Sequence, residues 1–171
     1  MLTQNVINLL NAQMNLEMYS SNLYLQMSAW CEQQGFEGAA KFLSEHAAEE
    51  MLHMHKLFTY LTETGALAVI GKIAEPPHQF DSLKQVMELT YEHEQLITRS
   101  INELVGTTLA EKDYSAFNFL QWYVAEQHEE EKLFSTILDK FAILGDAGEA
   151  DFFVDKYLGT IQHDCAAAPQ K

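Results

Sequence analysis

Only three of the 171 residues are proline and eight are glycine. The chain therefore has few forced breaks and is free to form long helices. Cysteine is nearly absent as well. Cys31 and Cys165 make neither a CxxC pair nor a Cys/His cluster, and a free-thiol, cytosolic chain is the simplest reading. No apolar run approaches the roughly 18 residues that a membrane span needs. The opening Met1-Leu2-Thr3-Gln4-Asn5 lacks the basic and apolar regions of a secretory signal. Positive charge is also scarce. Ten Lys and Arg face 25 Asp and Glu, a net charge of −15. That balance argues against nucleic acid and anionic membrane as partners. From charge alone plain solubility is the simpler reading, and the balance also suits the handling of cations.

Apolar residues make up 47% of the chain, enough for one domain with one sizeable core. They recur at three- and four-residue steps along four long segments. The first, about 4–33, carries Leu10, Met14, Glu17, Ser21 and Tyr24 on one stripe. The second, about 38–64, carries Leu43, His46, Glu50, His53, Leu57 and Leu61. The third, about 82–110, carries Leu83, Met87, Thr90, Glu94, Ile97, Ile101 and Leu104. The fourth, about 114–144, carries Leu120, Tyr123, Gln127, Glu130, Phe134, Ile137 and Phe141. A short amphipathic segment, about 149–161, follows with Ala150, Phe153, Tyr157 and Ile161, and residues 163–171 read as a flexible tail.

The breaks predict the topology. Gln33-Gln34-Gly35 separates the first two helices; Ser82 and Asp113 suit N-caps, and Gly65 and Gly145 suit stops. Two short links make two antiparallel hairpins. The link 65–81 is long. Extended, its residues reach roughly 55 Å, more than the roughly 40 Å of a helix of this length. It can therefore run the length of the bundle, leaving the third helix parallel to the second. The fold expected is all-α: a four-helix bundle with one long crossover between helices two and three, and a short fifth helix.

Each stripe has polar residues near its middle, and they repeat in register. Glu17 to Glu94, Glu50 to Gln127 and His53 to Glu130 are each 77 residues. Two hairpins packed about a pseudo-two-fold axis would bring all six to one level of the core. Buried carboxylates repel one another and lose hydration, a cost that divalent cations would offset. Glu50 and His53, at i and i+3, share a helix face and can reach one ion. Oxygen ligands with one imidazole suit iron, and a carboxylate can bridge two metals roughly 3.5–4 Å apart.

At these residues the chain resembles the ferritins, above all the bacterial non-haem ferritins, over nearly its whole length (1–162 as one ferritin-like domain). The stretches that carry the resemblance are Gln13-Met14-Asn15-Leu16-Glu17, Glu49-Glu50-Met51-Leu52-His53-Met54, Tyr91-Glu92-His93-Glu94, and residues 121–131, Gln121 to Glu131. It implies one iron at Glu17, Glu50 and His53, and a second at Glu50, Glu94 and Glu130, with Gln127 close by. It implies a third iron at Glu49, Glu126 and Glu129. Tyr24 matches the tyrosine beside such centres, and Trp122 is a redox-capable neighbour. The implied function is an iron-storage protein with ferroxidase activity. Fe(II) is oxidised by O2 or hydrogen peroxide through a bridged diferric state, then stored as a mineral inside a cytoplasmic 24-subunit shell. No haem is expected. Met51 stands where bacterioferritins place their haem-ligating methionine, but the fourth helix offers Gln127-x-x-Glu130 where such proteins carry a second Glu-x-x-His. The alternatives are a haem-containing bacterioferritin, a di-iron oxygenase or peroxidase that stores no iron, and a purely structural bundle.

Overall fold

Helix α1 (Gln4–Gln34) starts behind Thr3, whose hydroxyl accepts the Val6 N–H, and ends where Gly35 turns left-handed at φ 83°. Only a residue without a Cβ takes that turn freely. Helix α2 (Glu37–Glu63) follows after two residues. Helix α3 (Leu83–Ala110) is capped by the Ser82 hydroxyl on Gln85 N–H, and α4 (Tyr114–Leu144) by the Asp113 carboxylate on Ala116 N–H. Helix α5 spans Ala150–Leu158. The chain, a computed structural model, is described for residues 2–145 and 149–162. The expected tail 163–171, with His163 and Cys165, lies outside the described residues.

Side-chain contacts fix the directions. Ser21 and Ser28 of α1 donate to the carbonyls of Ala47 and Ala40, so the numbering falls along α2 as it rises along α1. Tyr24 reaches Glu94, and Thr90 reaches Met27, so α3 is also antiparallel to α1. Helices α2 and α3 are therefore parallel, as the long link predicts. That crossover is tied to α1 by two asparagines one turn apart. Asn11 donates to Leu67 O and accepts from Val69 N; Asn15 donates to Val69 O and accepts from Gly71 N. Each amide side chain acts as a strand partner would, so an extended link keeps its backbone groups paired.

Every residue of the four expected stripes is buried. The apolar ones form two clusters. One lies around Leu10, Leu57, Ile101 and Leu120; the other lies around Met27, Leu43, Met87 and Phe134, with α5 against it. Between them lies a layer of acids, amides and imidazoles.

The fifth helix differs from expectation. It is shorter than 149–161, and its buried residues are Ala150, Val154, Asp155 and Leu158, while Phe153 is half exposed. Asp155 explains the changed face. Its carboxylate accepts the Ala39 N–H at 2.9 Å and so caps α2, which has no cap of its own. The backbones touch at Gly38, where a Cβ would stand 2.0 Å from Asp155 O. Gly38→Ala should therefore lift α5 from the bundle without disturbing the central polar layer. Amide exchange at Ala39 and along α5 measures this; unchanged protection would contradict the docking.

Candidate metal centre

Four glutamates and two histidines lie in the polar layer, all buried, with Glu94 and His46 at 0% exposure. They come from all four long helices. In α2, His46, Glu50 and His53 follow at i, i+4 and i+7, so one face of the helix presents them all. Glu17, Glu50 and His53 offer ligand atoms within 4.8 Å of one another, and so do His46, Glu50 and Glu94. Glu50 belongs to both sets. Its Oε2 lies 3.1 Å from His53 Nδ1 and its Oε1 lies 3.7 Å from His46 Nε2, so its two oxygens face opposite ways. A carboxylate placed so can bridge two cations.

The remaining hydrogen bonds hold the carboxylates in place. Gln13 donates to Glu17 at 2.7 Å. Gln127 donates to Glu94 at 3.0 Å, and the Tyr24 hydroxyl donates to Glu94 as well. Tyr123 donates to His53 O at 2.7 Å. Trp122 meets the His53 ring edge-on at 5.2 Å, with Lys56 over its own face.

Burial and mutual repulsion set the protonation states. Burial raises Glu17 to about 8, and the Glu94 charge adds to it against the opposing Gln13 bond. Glu130 is raised to about 8 by burial, against the pull of His46. Burial followed by the charges of Glu94, Glu17 and Glu130 pushes Glu50 well above the carboxylate range. Glu94 goes the other way, to about 2: burial would raise it, but His46, Tyr24 and Gln127 outweigh that. Burial would lower His46, yet the surrounding glutamates lift it to about 10. Burial holds His53 down at about 4, so its ring is neutral and keeps a lone pair for a metal. The layer without cations is thus neutralised by protons that cations would displace.

The outer acids are less tightly gathered. Glu49 and Glu126 come together with His53, and Glu49 also with His46 and Glu130. Glu129 is exposed and joins none of the metal-capable groups found among the described residues, although its charge helps raise Glu126. Met51 is half buried and packs on the cluster around Leu57. His46 was visible in the second stripe, but 77 residues on stands Tyr123, so the repeat did not select it. Gln13 faces the same difficulty, its counterpart being Thr90.

The family model for the ferritin-like domain matches residues 7–144. The chain belongs to the ferritin family. It is 72% identical over 161 residues to a probable bacterial non-heme ferritin-like protein of Haemophilus influenzae, covering 94% of this chain and 98% of that one. It is 55% identical to the bacterial non-heme ferritin of Escherichia coli, with the same coverage. Among solved structures, an open pore ferritin from the archaeon Archaeoglobus fulgidus superposes with a TM-score of 0.91 at 37% identity, over 94% of this chain and 98% of that one. A Chlorobium tepidum ferritin gives 0.84 at 50% identity, over 92% and 98%. Ferritin membership thus spans the four helices that build the polar layer. No helix among the described residues is long and apolar enough to cross a membrane.

Proposed function

We propose that this ferritin oxidises Fe(II) at the central polar layer and stores the product as a ferric mineral inside a cytoplasmic shell of 24 subunits. The observation that carries the reading is the pair of buried ligand sets sharing Glu50. Glu17, Glu50 and His53 take one Fe(II); Glu50 and Glu94, which stand beside His46 in the second set, take the other together with Glu130 from the neighbouring group of His46, Glu49 and Glu130. Each ion gives one electron to O2, which takes two protons and leaves as hydrogen peroxide. With peroxide as oxidant the same two electrons and two protons give water. The protons held by Glu17 and Glu130 leave as the ions arrive. Gln127 and Tyr24 hold Glu94 in place, and Trp122 packs edge-on against His53. The likeness to non-heme ferritins supports the storage role and a centre without haem.

Glu49 and Glu126, with Glu129 beside them, hold a third iron on the path from the centre to the mineral. Glu129 is exposed, and it reaches the ion by turning its carboxylate inward. Changing Glu49, Glu126 and Glu129 to Ala should leave the first two-iron oxidation working. It should change the iron-to-oxygen ratio and the rate at which the centre regenerates. Anomalous diffraction from crystals soaked in Fe(II) tests the whole arrangement. Peaks at the two Glu50 positions and beside Glu126 are expected. No peak near Glu129 removes the third site; no peak at Glu50 removes the centre.

A further inference from the structure

The proposed ligands give the first iron an imidazole, His53, and the second none. His46 stands where the missing nitrogen belongs. Its Nε2 lies 3.7 Å from Glu50 Oε1, 3.6 Å from Glu94 Oε1 and 3.6 Å from Glu130 Oε2. These are ion-pair distances when the ring is protonated. They also fit a second relation. Two ligands bound at about 2.1 Å to one ion in tetrahedral array stand about 3.4 Å apart. The nitrogen thus stands at ligand spacing from one oxygen of each of the three carboxylates. The ring is fixed by Tyr24 at 4.9 Å, Phe42 stacked at 6.0 Å and Phe134 edge-on at 5.2 Å. Its Nδ1 faces Glu49 Oε2 at 3.7 Å. A metal-bound imidazole ordinarily has such a carboxylate behind it, which fixes the ring and strengthens the ligand.

We infer that His46 is a ligand of the second iron through Nε2, oriented by Glu49 through Nδ1. The inference rests on the two-iron reading of the layer. It also accounts for the asymmetry between the hairpins. Helix α4 has Gln127-x-x-Glu130 in place of a second Glu-x-x-His, and α2 makes up the loss by carrying imidazoles on both sides of Glu50. Because Glu49 also belongs to the set with His53 and Glu126, occupancy of the outer site bears on the second iron through His46.

Co(II), which reports its donors in visible absorption, is the probe, added without O2. The assembled, iron-free protein is titrated with Co(II), as are His46→Gln, His46→Ala and His53→Ala. Either His46 variant should bind one ion per subunit at least ~10-fold more weakly and lose part of the nitrogen-ligand spectrum. His53→Ala should weaken a different ion, and the double variant should show both effects together. In wild-type crystals soaked in Co(II), His46 Nε2 should lie within about 2.3 Å of an ion also bound by Glu50, Glu94 and Glu130. An ion at those three carboxylates with Nε2 beyond about 3 Å overturns the inference and leaves the two-iron reading standing. So does an unchanged titration in both His46 variants. A wild-type protein that binds no Co(II) in the bundle overturns both. Should the variants fail to assemble, the wild-type crystal decides.

Discussion

Replacing His53 or Glu17 with Ala slows the fast phase of Fe(II) oxidation by at least ~100-fold and leaves the helices intact. Loss of a group that only orients a metal ligand costs about 10–100-fold in affinity or activity, and loss of the ligand itself costs no less. His53 is the neutral imidazole of the first set, and Glu17 reaches that set from another helix. Neither carries the apolar packing: the clusters on either side of the layer are complete without them. The shell should therefore assemble, and circular dichroism should be unchanged. Stopped-flow oxidation is the measurement. Wild-type kinetics in the double variant would remove both residues from the centre.

The second large effect concerns the protein without metal. Glu17 and Glu130 titrate near 8 when folded and near the ordinary carboxylate value when unfolded. The folded state therefore binds more protons than the unfolded state between those values, and stability falls as pH rises through that window. His46, raised to about 10, acts in the same direction above its ordinary value of 6.5. The groups held below their ordinary values, Glu94 and His53 in the layer and His93 and Glu111 outside it, oppose the trend, but only lower down. Glu94, held at about 2, and His53, at about 4, add stability as pH rises and have finished doing so by about 6.5. From pH 6.5 to 8.5 the iron-free protein should thus lose stability on the order of a few kcal/mol. Glu130→Gln and Glu17→Gln should flatten that slope and raise the melting temperature at pH 8, because a buried charge among like charges is removed. A divalent cation should reverse the slope, since it binds the ionised carboxylates and releases their protons. Thermal unfolding of the metal-free protein across this pH range checks it. A melting temperature that rises with pH, or falls in the glutamine variants at pH 8, would contradict burial of these acids as a proton-neutralised cluster.

Much of this was legible because helices repeat. All four apolar stripes, the caps at Ser82 and Asp113, and the parallel placement of the third helix follow from spacing and link length. So does the gathering of Glu17, Glu50, His53, Glu94, Gln127 and Glu130 at one level. The 77-residue offset works because both hairpins pack alike. It fails where they differ: His46 is matched by Tyr123 and Gln13 by Thr90, so two buried polar residues of the layer escaped it. Contacts between distant segments were illegible for a different reason. Asp155 caps a helix start 116 residues earlier, and that bond selects which face of α5 is buried. Asn11 and Asn15 look like ordinary surface amides until the crossover is laid along them. Nine residues of α5 hold too little periodicity to choose between neighbouring faces, so tertiary contact decides.

Aerobic addition of Fe(II) to the iron-free protein, with particle mass and bound iron measured together, tests the storage reading most directly. The expected result is a particle of about 470 kDa, as 24 chains of 19.5 kDa give. It should hold a ferric mineral with far more iron than the bundle sites could take. A particle that stops at two or three irons per subunit, however quickly it oxidises them, would contradict storage and point to a di-iron enzyme acting on another substrate.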